Sequence, residues 1–259
     1  EITIKDGSID RDITSEKGTV EFKNVSFKYP DAEEYLLKNI SFKASKGETI
    51  AFIGSTGSGK STLINLVPRF YDVTDGEILI DGINVKDYTL ESLNNKIGYV
   101  PQKAVMFTGT VNSNVGYGYN GKTQTSLKKI KEAIEVAQGT DFVTKMDKSY
   151  DAHIARGGTN ISGGQKQRLA IARAIARDPE IYIFDEATSN IDIESEEKIW
   201  NAIYEIAQNK TVIVISHRLA KVKNAENIYV LDKGKKVENG NHKELINNKN
   251  VIKWKINSN

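Results

Sequence analysis

Gly54-Ser55-Thr56-Gly57-Ser58-Gly59-Lys60-Ser61 fits the pattern G-x-x-x-x-G-K-[ST] and follows the apolar run Thr49-Ile50-Ala51-Phe52-Ile53. A buried-type strand that runs into a glycine-rich turn and then a helix is the context this pattern requires. Glycines let the backbone curl until several N–H groups face one point, where a phosphate can sit. Lys60 would neutralise the β- and γ-phosphates and the Ser61 hydroxyl would ligate Mg²⁺. The plainer alternative, a glycine-rich turn with a surface lysine, does not need the strand and helix on either side.

Working outward, Thr19–Phe22, Val25–Tyr29 and Asn39–Ala44 alternate in hydropathy with period two. They predict three short strands of an antiparallel layer. Glu77–Ile80 reads as a short strand between the turns Asp75-Gly76 and Asp81-Gly82. A helix is expected from Lys60 to about Leu66, near Pro68. From about 90 to 178 the pattern turns mostly helical, with helices over Leu127–Ala137 and Ser162–Ala176. Strand and helix then alternate through Ile181–Phe184, Ile193–Ala207, Thr211–Ile215 and Ile228–Leu231, which implies a parallel sheet.

Ile181-Tyr182-Ile183-Phe184 delivers Asp185 and Glu186 at its end. Buried carboxylates are costly unless paired or metal-bound. Asp185 is therefore the expected Mg²⁺-side carboxylate, and Glu186 the group that would polarise an attacking water. The bland alternative has both acids capping the next helix. Asn160-Ile161-Ser162-Gly163-Gly164-Gln165 places a serine and two glycines at a helix start, which makes a second anion site apart from the first loop.

These elements together resemble the nucleotide-binding domain of an ATP-binding cassette (ABC) transporter, whose signature is Leu-Ser-Gly-Gly-Gln; Ile161 stands for the leucine. The resemblance runs from about Gly18 to Leu245. It implies an α/β fold, a P-loop NTPase of ABC type, with a mixed core sheet, an antiparallel β layer and a helical signature subdomain over roughly 103–178. It further implies ATP and Mg²⁺ as cofactors and hydrolysis of ATP. Nucleotide contacts would come from Gly54, Ser55, Thr56, Gly57, Ser58, Gly59, Lys60, Ser61 and Thr62, with Ser61, Gln102 and Asp185 on the metal. Tyr29 matches the aromatic that stacks on adenine; as an isolated tyrosine it could equally be a core residue. Gln102 in Tyr99-Val100-Pro101-Gln102 matches the glutamine between metal, water and membrane partner, and His217 in Ser216-His217-Arg218 the histidine that touches the γ-phosphate. Lys60, Gln102, Glu186 and His217 would form the catalytic set. Ser162, Gly163, Gly164 and Gln165 of one domain would close over ATP held by another, with Asp192 of Ser189-Asn190-Ile191-Asp192 ordering that interface.

Phe70-Tyr71-Asp72 and Ser162–Arg168 look like type I exporters, in which this domain follows membrane helices on one polypeptide. Residues 1–17, polar and irregular, read as the linker from such a region, and 18–259 as the domain itself. The start at Glu1 is expected for a segment of a longer chain on the cytoplasmic face of a membrane. Two departures stand out. Ala152-His153-Ile154-Ala155-Arg156 replaces Thr-x-Val-Gly-Glu and lacks its glutamate. Asn190-Ile191 replaces Ala-Leu, as in some heterodimeric exporters, so the second nucleotide-binding domain could be the same or a different chain.

Composition narrows the alternatives. Hydrophobic residues make up 39% and charged residues 27%, so wholesale disorder is excluded. Apolar runs reach four residues where a bilayer span needs about 20. Net charge is +2 and no sustained heptads separate loop and signature, which argues against a nucleic-acid partner and a DNA-repair-type relative. Zero cysteines rule out disulfides and thiolate metal sites. A free-standing importer ATPase and a non-hydrolysing regulatory domain are the remaining rivals; the intact Glu186 and His217 speak against the second.

Overall fold

The computed structural model describes residues 4–118 and 125–247 of the 259. The first three residues of the expected linker, 119–124 of the expected helical segment and 248–259 lie outside the described residues. The chain divides into two compact units, one formed up to Asn94 and again from Asn209 onward, the other by Asn95–Gln208. No helix among the described residues is long and apolar enough to cross a membrane.

The first leg of the chain carries β1 (Val20–Phe27), β2 (Leu37–Ala44), β3 (Thr49–Gly54), α1 (Lys60–Asn65), β4 (Asp75–Ile80), β5 (Ile83–Asn84) and α2 (Leu90–Asn95). The sheet β2-β1-β4-β5 is antiparallel throughout. The two strands expected at 19–22 and 25–29 are one. The register of β1 shifts between Phe22 and Val25, where Asn24 has φ 48°, so a bulge inserts a residue. That extra residue returns Val25 and Phe27 to the face that already buries Val20 and Phe22. The alternation in the sequence breaks at this point, which is why it reads as two strands. Phe42 links this layer to β3, stacked on Phe22 at 4.5 Å and edge-on to Phe52 at 4.9 Å.

The middle leg carries β6 (Ile97–Val100), β7 (Gly109–Thr110), α3 (Val111–Val115), α4 (Leu127–Val136), α5 (Thr140–Lys145), β8 (His153–Ile154), α6 (Gly163–Ala176), β9 (Ile181–Asp185) and α7 (Ile193–Ala207). It is less helical than the sequence suggests. β6 pairs in parallel with β9, and β7 pairs with β8, inside the segment replacing Thr-x-Val-Gly-Glu. Arg173 of α6 fastens the stretch beyond Gln102. It donates to Val105 O at 2.9 Å and to Asn114 O at 2.7 Å, and burial pushes its pKa down to about 10. Asn114 is itself buried and holds Phe107 N and O at 2.8 and 2.9 Å.

The return leg adds β10 (Thr211–Ile215), β11 (Asn227–Asp232), β12 (Lys235–Gly240) and α8 (His242–Asn247). In the first unit β10 and β11 flank β3 in parallel, and β12 runs antiparallel beside β11. Every residue of β3 and β10 is buried, as expected of central parallel strands, which read as unbroken apolar runs. Parallel pairing sends the ends of β3 and β10 the same way, so the loop after Gly54 and the turn at His217 leave from one edge.

Candidate functional site

In the first unit the glycine-rich loop joins β3 to α1. Gly59 caps α1 at φ 101°, a conformation closed to other residue types, and an added Cβ there would meet Leu37 Cδ2 at 2.7 Å. Lys60 is folded back into the loop and buried, its Nζ donating to Gly54 O and Ser55 O, both at 2.9 Å. Ser58 is 2% exposed and its Oγ has no hydrogen-bond partner among the described residues. A loop with an ammonium aimed at its own carbonyls and an orphaned hydroxyl is suited to take up an oxyanion. Ser61 is exposed at the start of α1.

Tyr29 lies beside this loop and not deep in the core. It is half-buried, with its hydroxyl 3.2 Å from Thr62 Oγ1 in the first turn of α1. It also lines an open pocket with Pro30, Tyr71, Asp72 and Thr74. His217 is exposed just past β10, presented by a tight turn in which Ser216 Oγ accepts from Arg218 N at 3.0 Å.

In the second unit, the parallel register pairs Val100 with Phe184, so Gln102 and Glu186 leave neighbouring strand ends. Gln102 Nε2 donates to Glu186 Oε2 at 3.1 Å. Glu186 sits at φ 48°, in the left-handed region that costs an ordinary residue about 1 kcal/mol or more. Asp185 is buried, and the Tyr99 hydroxyl faces its Oδ2 at 3.5 Å. Burial and then the Asp185 charge push the Tyr99 phenol well above its usual range, so the hydroxyl stays protonated and turns its proton to the carboxylate. The two acids do not cap the next helix; Asp192 does, accepting from Ser195 N at 2.9 Å. No group of three or more His, Cys, Asp or Glu able to hold a metal occurs among the described residues. Within this unit Gln102 and Asp185 offer oxygen ligands, the kind that suits a hard cation such as Mg²⁺.

Ser162 caps α6 through a reciprocal pair, its N–H donating to Gln165 Oε1 at 2.9 Å and its Oγ accepting from Gln165 N at 3.2 Å. The two glycines between them differ. A Cβ on Gly164 would meet Asn190 O at 2.8 Å, whereas one on Gly163 meets nothing within 4 Å. Gly164→Ala should therefore destabilise the chain by roughly 1–3 kcal/mol, the usual scale of overpacking, and Gly163→Ala should leave stability nearly unchanged. Urea denaturation of both variants checks this; equal midpoints would contradict the close approach at Asn190. Arg168 of α6 pairs with Asp192 and donates to Ser195 Oγ at 3.0 Å and Gln138 O at 3.0 Å, tying the signature helix to the loop before α7. Hydrogen bonds from Ser195 N and then its side chain, with Arg168 nearby, hold the Asp192 carboxyl below its usual pKa.

The model of the ABC transporter family matches residues 37–189, more than half of the chain. This chain belongs to the ABC transporter family. It is 46% identical over 237 residues to an ATP-dependent lipid A-core flippase of Haemophilus influenzae, covering 92% of this chain and 40% of the flippase. It is 46% identical over 231 residues to multidrug resistance protein 1 of Entamoeba histolytica, covering 89% of this chain and 18% of that protein. The solved structure of a bacterial Atm1-family ABC exporter with ATP bound matches with a TM-score of 0.88 at 36% identity, over 95% of this chain and 42% of the exporter. The chain thus spans two fifths or less of the length of these two curated relatives.

Sequence reasoning about this ABC domain passed over Tyr99 and Arg168 as neighbours of better-known motifs. The helical face of α6 could have drawn attention to Arg168, whereas the four residues of β6 are too few to show a period that singles out Tyr99. Their partners, 86 and 24 residues away, become visible only once the chain is folded.

Proposed function

We propose that this chain is the ATP-hydrolysing domain of an exporter, and that it works by closing with a second nucleotide-binding domain over ATP. The observation that carries the hydrolytic reading is the contact between Gln102 Nε2 and Glu186 Oε2 at the ends of two paired strands. A carboxylate with an amide beside it can hold a water and accept its proton. Lys60 would grip the β- and γ-phosphates, and Ser61, Asp185 and Gln102 would hold Mg²⁺. His217 would touch the γ-phosphate, and Tyr29 would stack on adenine. When bound, the metal supplies charge neutralisation at the phosphates. Ser162, Gly163, Gly164 and Gln165 would meet the γ-phosphate held by the partner domain, and the open space over Gly163 suits such an approach. Asp192 and Arg168 would keep that surface in shape.

The names of its relatives, a flippase and a multidrug resistance protein, support export across a membrane as the activity of the whole protein. On this reading a transmembrane domain shares the polypeptide, the nucleotide-binding domain works at the cytoplasmic face, and the second such domain is a like or a related chain. The test is phosphate release together with size-exclusion chromatography in Mg²⁺ and ATP, alone and with any candidate partner domain. Turnover should accompany nucleotide-dependent association. ATP-independent elution and no phosphate release with either partner would sink the reading.

A further inference from the structure

Arg69 is 4% exposed, yet it sits in a loop, at φ 59°. Its guanidinium grips Asp72 with both ends, Nε to Oδ1 at 2.7 Å and one terminal nitrogen to Oδ2 at 3.2 Å. A buried cation in strained backbone is expensive, and a bidentate pair fixes geometry more than it adds stability. The fork closes a four-residue span whose interior is Phe70 and Tyr71. Phe70 points outward, 49% exposed. Tyr71 points the other way: its ring is edge-on to Tyr29 at 5.2 Å and 87°, and tilted against Phe27 at 5.6 Å. Tyr29 is also held edge-on by Phe27 at 5.0 Å and by the Thr62 hydroxyl. Phe27 belongs to the core and Thr62 to the phosphate-loop helix. Tyr71 is half-buried. The open pocket beside Tyr29 is lined by Tyr71 and Asp72 as well.

We propose that Tyr71, clamped by the Arg69–Asp72 pair, is a positioning residue for nucleobase recognition that acts by fixing the ring plane of Tyr29. The inference rests on the proposed stacking of adenine on Tyr29. A stacking platform gains affinity when its ring need not be ordered on binding, and an edge-on aromatic neighbour supplies that order. Such a role touches only the base and leaves the grip on the phosphates alone.

Calorimetry on the 259-residue chain with MgATP and with Mg-tripolyphosphate, which has the phosphates and no base, separates the two. Tyr71→Leu should weaken MgATP about three- to ten-fold, the scale of one lost aromatic pair, and leave tripolyphosphate unchanged. Tyr71→Phe keeps the ring and should bind as wild type. Arg69→Lys, which cannot make the bidentate grip, should show the same base-selective loss as Tyr71→Leu. Tyr29→Ala should cost more, roughly 5- to 150-fold, and in its background Tyr71→Leu should add nothing. Unchanged ATP affinity in Tyr71→Leu, an equal loss for tripolyphosphate, or full additivity with Tyr29→Ala would each overturn the proposal. If Tyr29→Ala itself leaves ATP affinity unchanged, the stacking reading fails and this inference with it. Circular dichroism separates an unfolded variant from a folded one with an equal loss, and Arg69→Lys carries the test should Tyr71→Leu fail to fold.

Discussion

Glu186→Gln is expected to lower ATP hydrolysis by about 10²–10⁴, the range for loss of a general base. The substitution is close to isosteric, and a glutamine Oε1 can still accept the hydrogen bond from Gln102 Nε2. What disappears is the charge and the capacity to take a proton from water. Since binding contacts remain, the ATP-bound association should persist longer than in the wild type. Each γ-phosphate would be gripped by Lys60 of one chain and Ser162 of the other, which links ligand binding to dimerisation. Chromatography in Mg²⁺ and ATP should therefore show a dimer for the variant and a monomer without nucleotide. A phosphate-release rate within ten-fold of wild type would remove Glu186 from the role of base.

Lys60→Ala is expected to reduce ATP affinity by roughly 10²–10⁴, two charge-assisted hydrogen bonds to phosphate at about 1.5–3 kcal/mol each. The geometry adds a second reason. Lys60 Nζ holds Gly54 O and Ser55 O, so the side chain braces the loop that must cradle the phosphates. Its loss removes the cation and loosens the backbone around the vacated position. Calorimetry with MgATP measures the effect, and circular dichroism shows whether the fold is retained. A folded variant that binds ATP at wild-type strength would refute the phosphate-loop assignment.

The parts of this domain that could be read from its sequence are those whose signal is local. β10 at Thr211–Ile215 and α7 at Ile193–Ala207 fall where the alternation of strand and helix patterns predicts them. The loop from Gly54 to Ser61 is legible because one short stretch contains its whole chemistry. β1 reads as two strands in the sequence because a bulge at Asn24 breaks the alternation that identifies a strand. β6 carries no such signal, because four residues ending just before Pro101 show too little periodicity to announce a strand; pairing with β9 is what holds it. Contacts that depend on that pairing were hidden for the same reason. Gln102 meets Glu186 across 84 residues of sequence, and nothing in either neighbourhood names the other.

The φ of 48° at Glu186 has a consequence for how this domain can change. Glycine adopts that backbone without strain, so Glu186→Gly would relieve about 1 kcal/mol in the folded state, offset in part by the greater freedom of glycine in the unfolded chain. Selection for thermal robustness alone would thus find little reason to keep an acid there, and a stability screen blind to turnover would tolerate its loss. If Glu186 is the base proposed above, hydrolysis would be the property most easily lost when such a domain is selected only to bind.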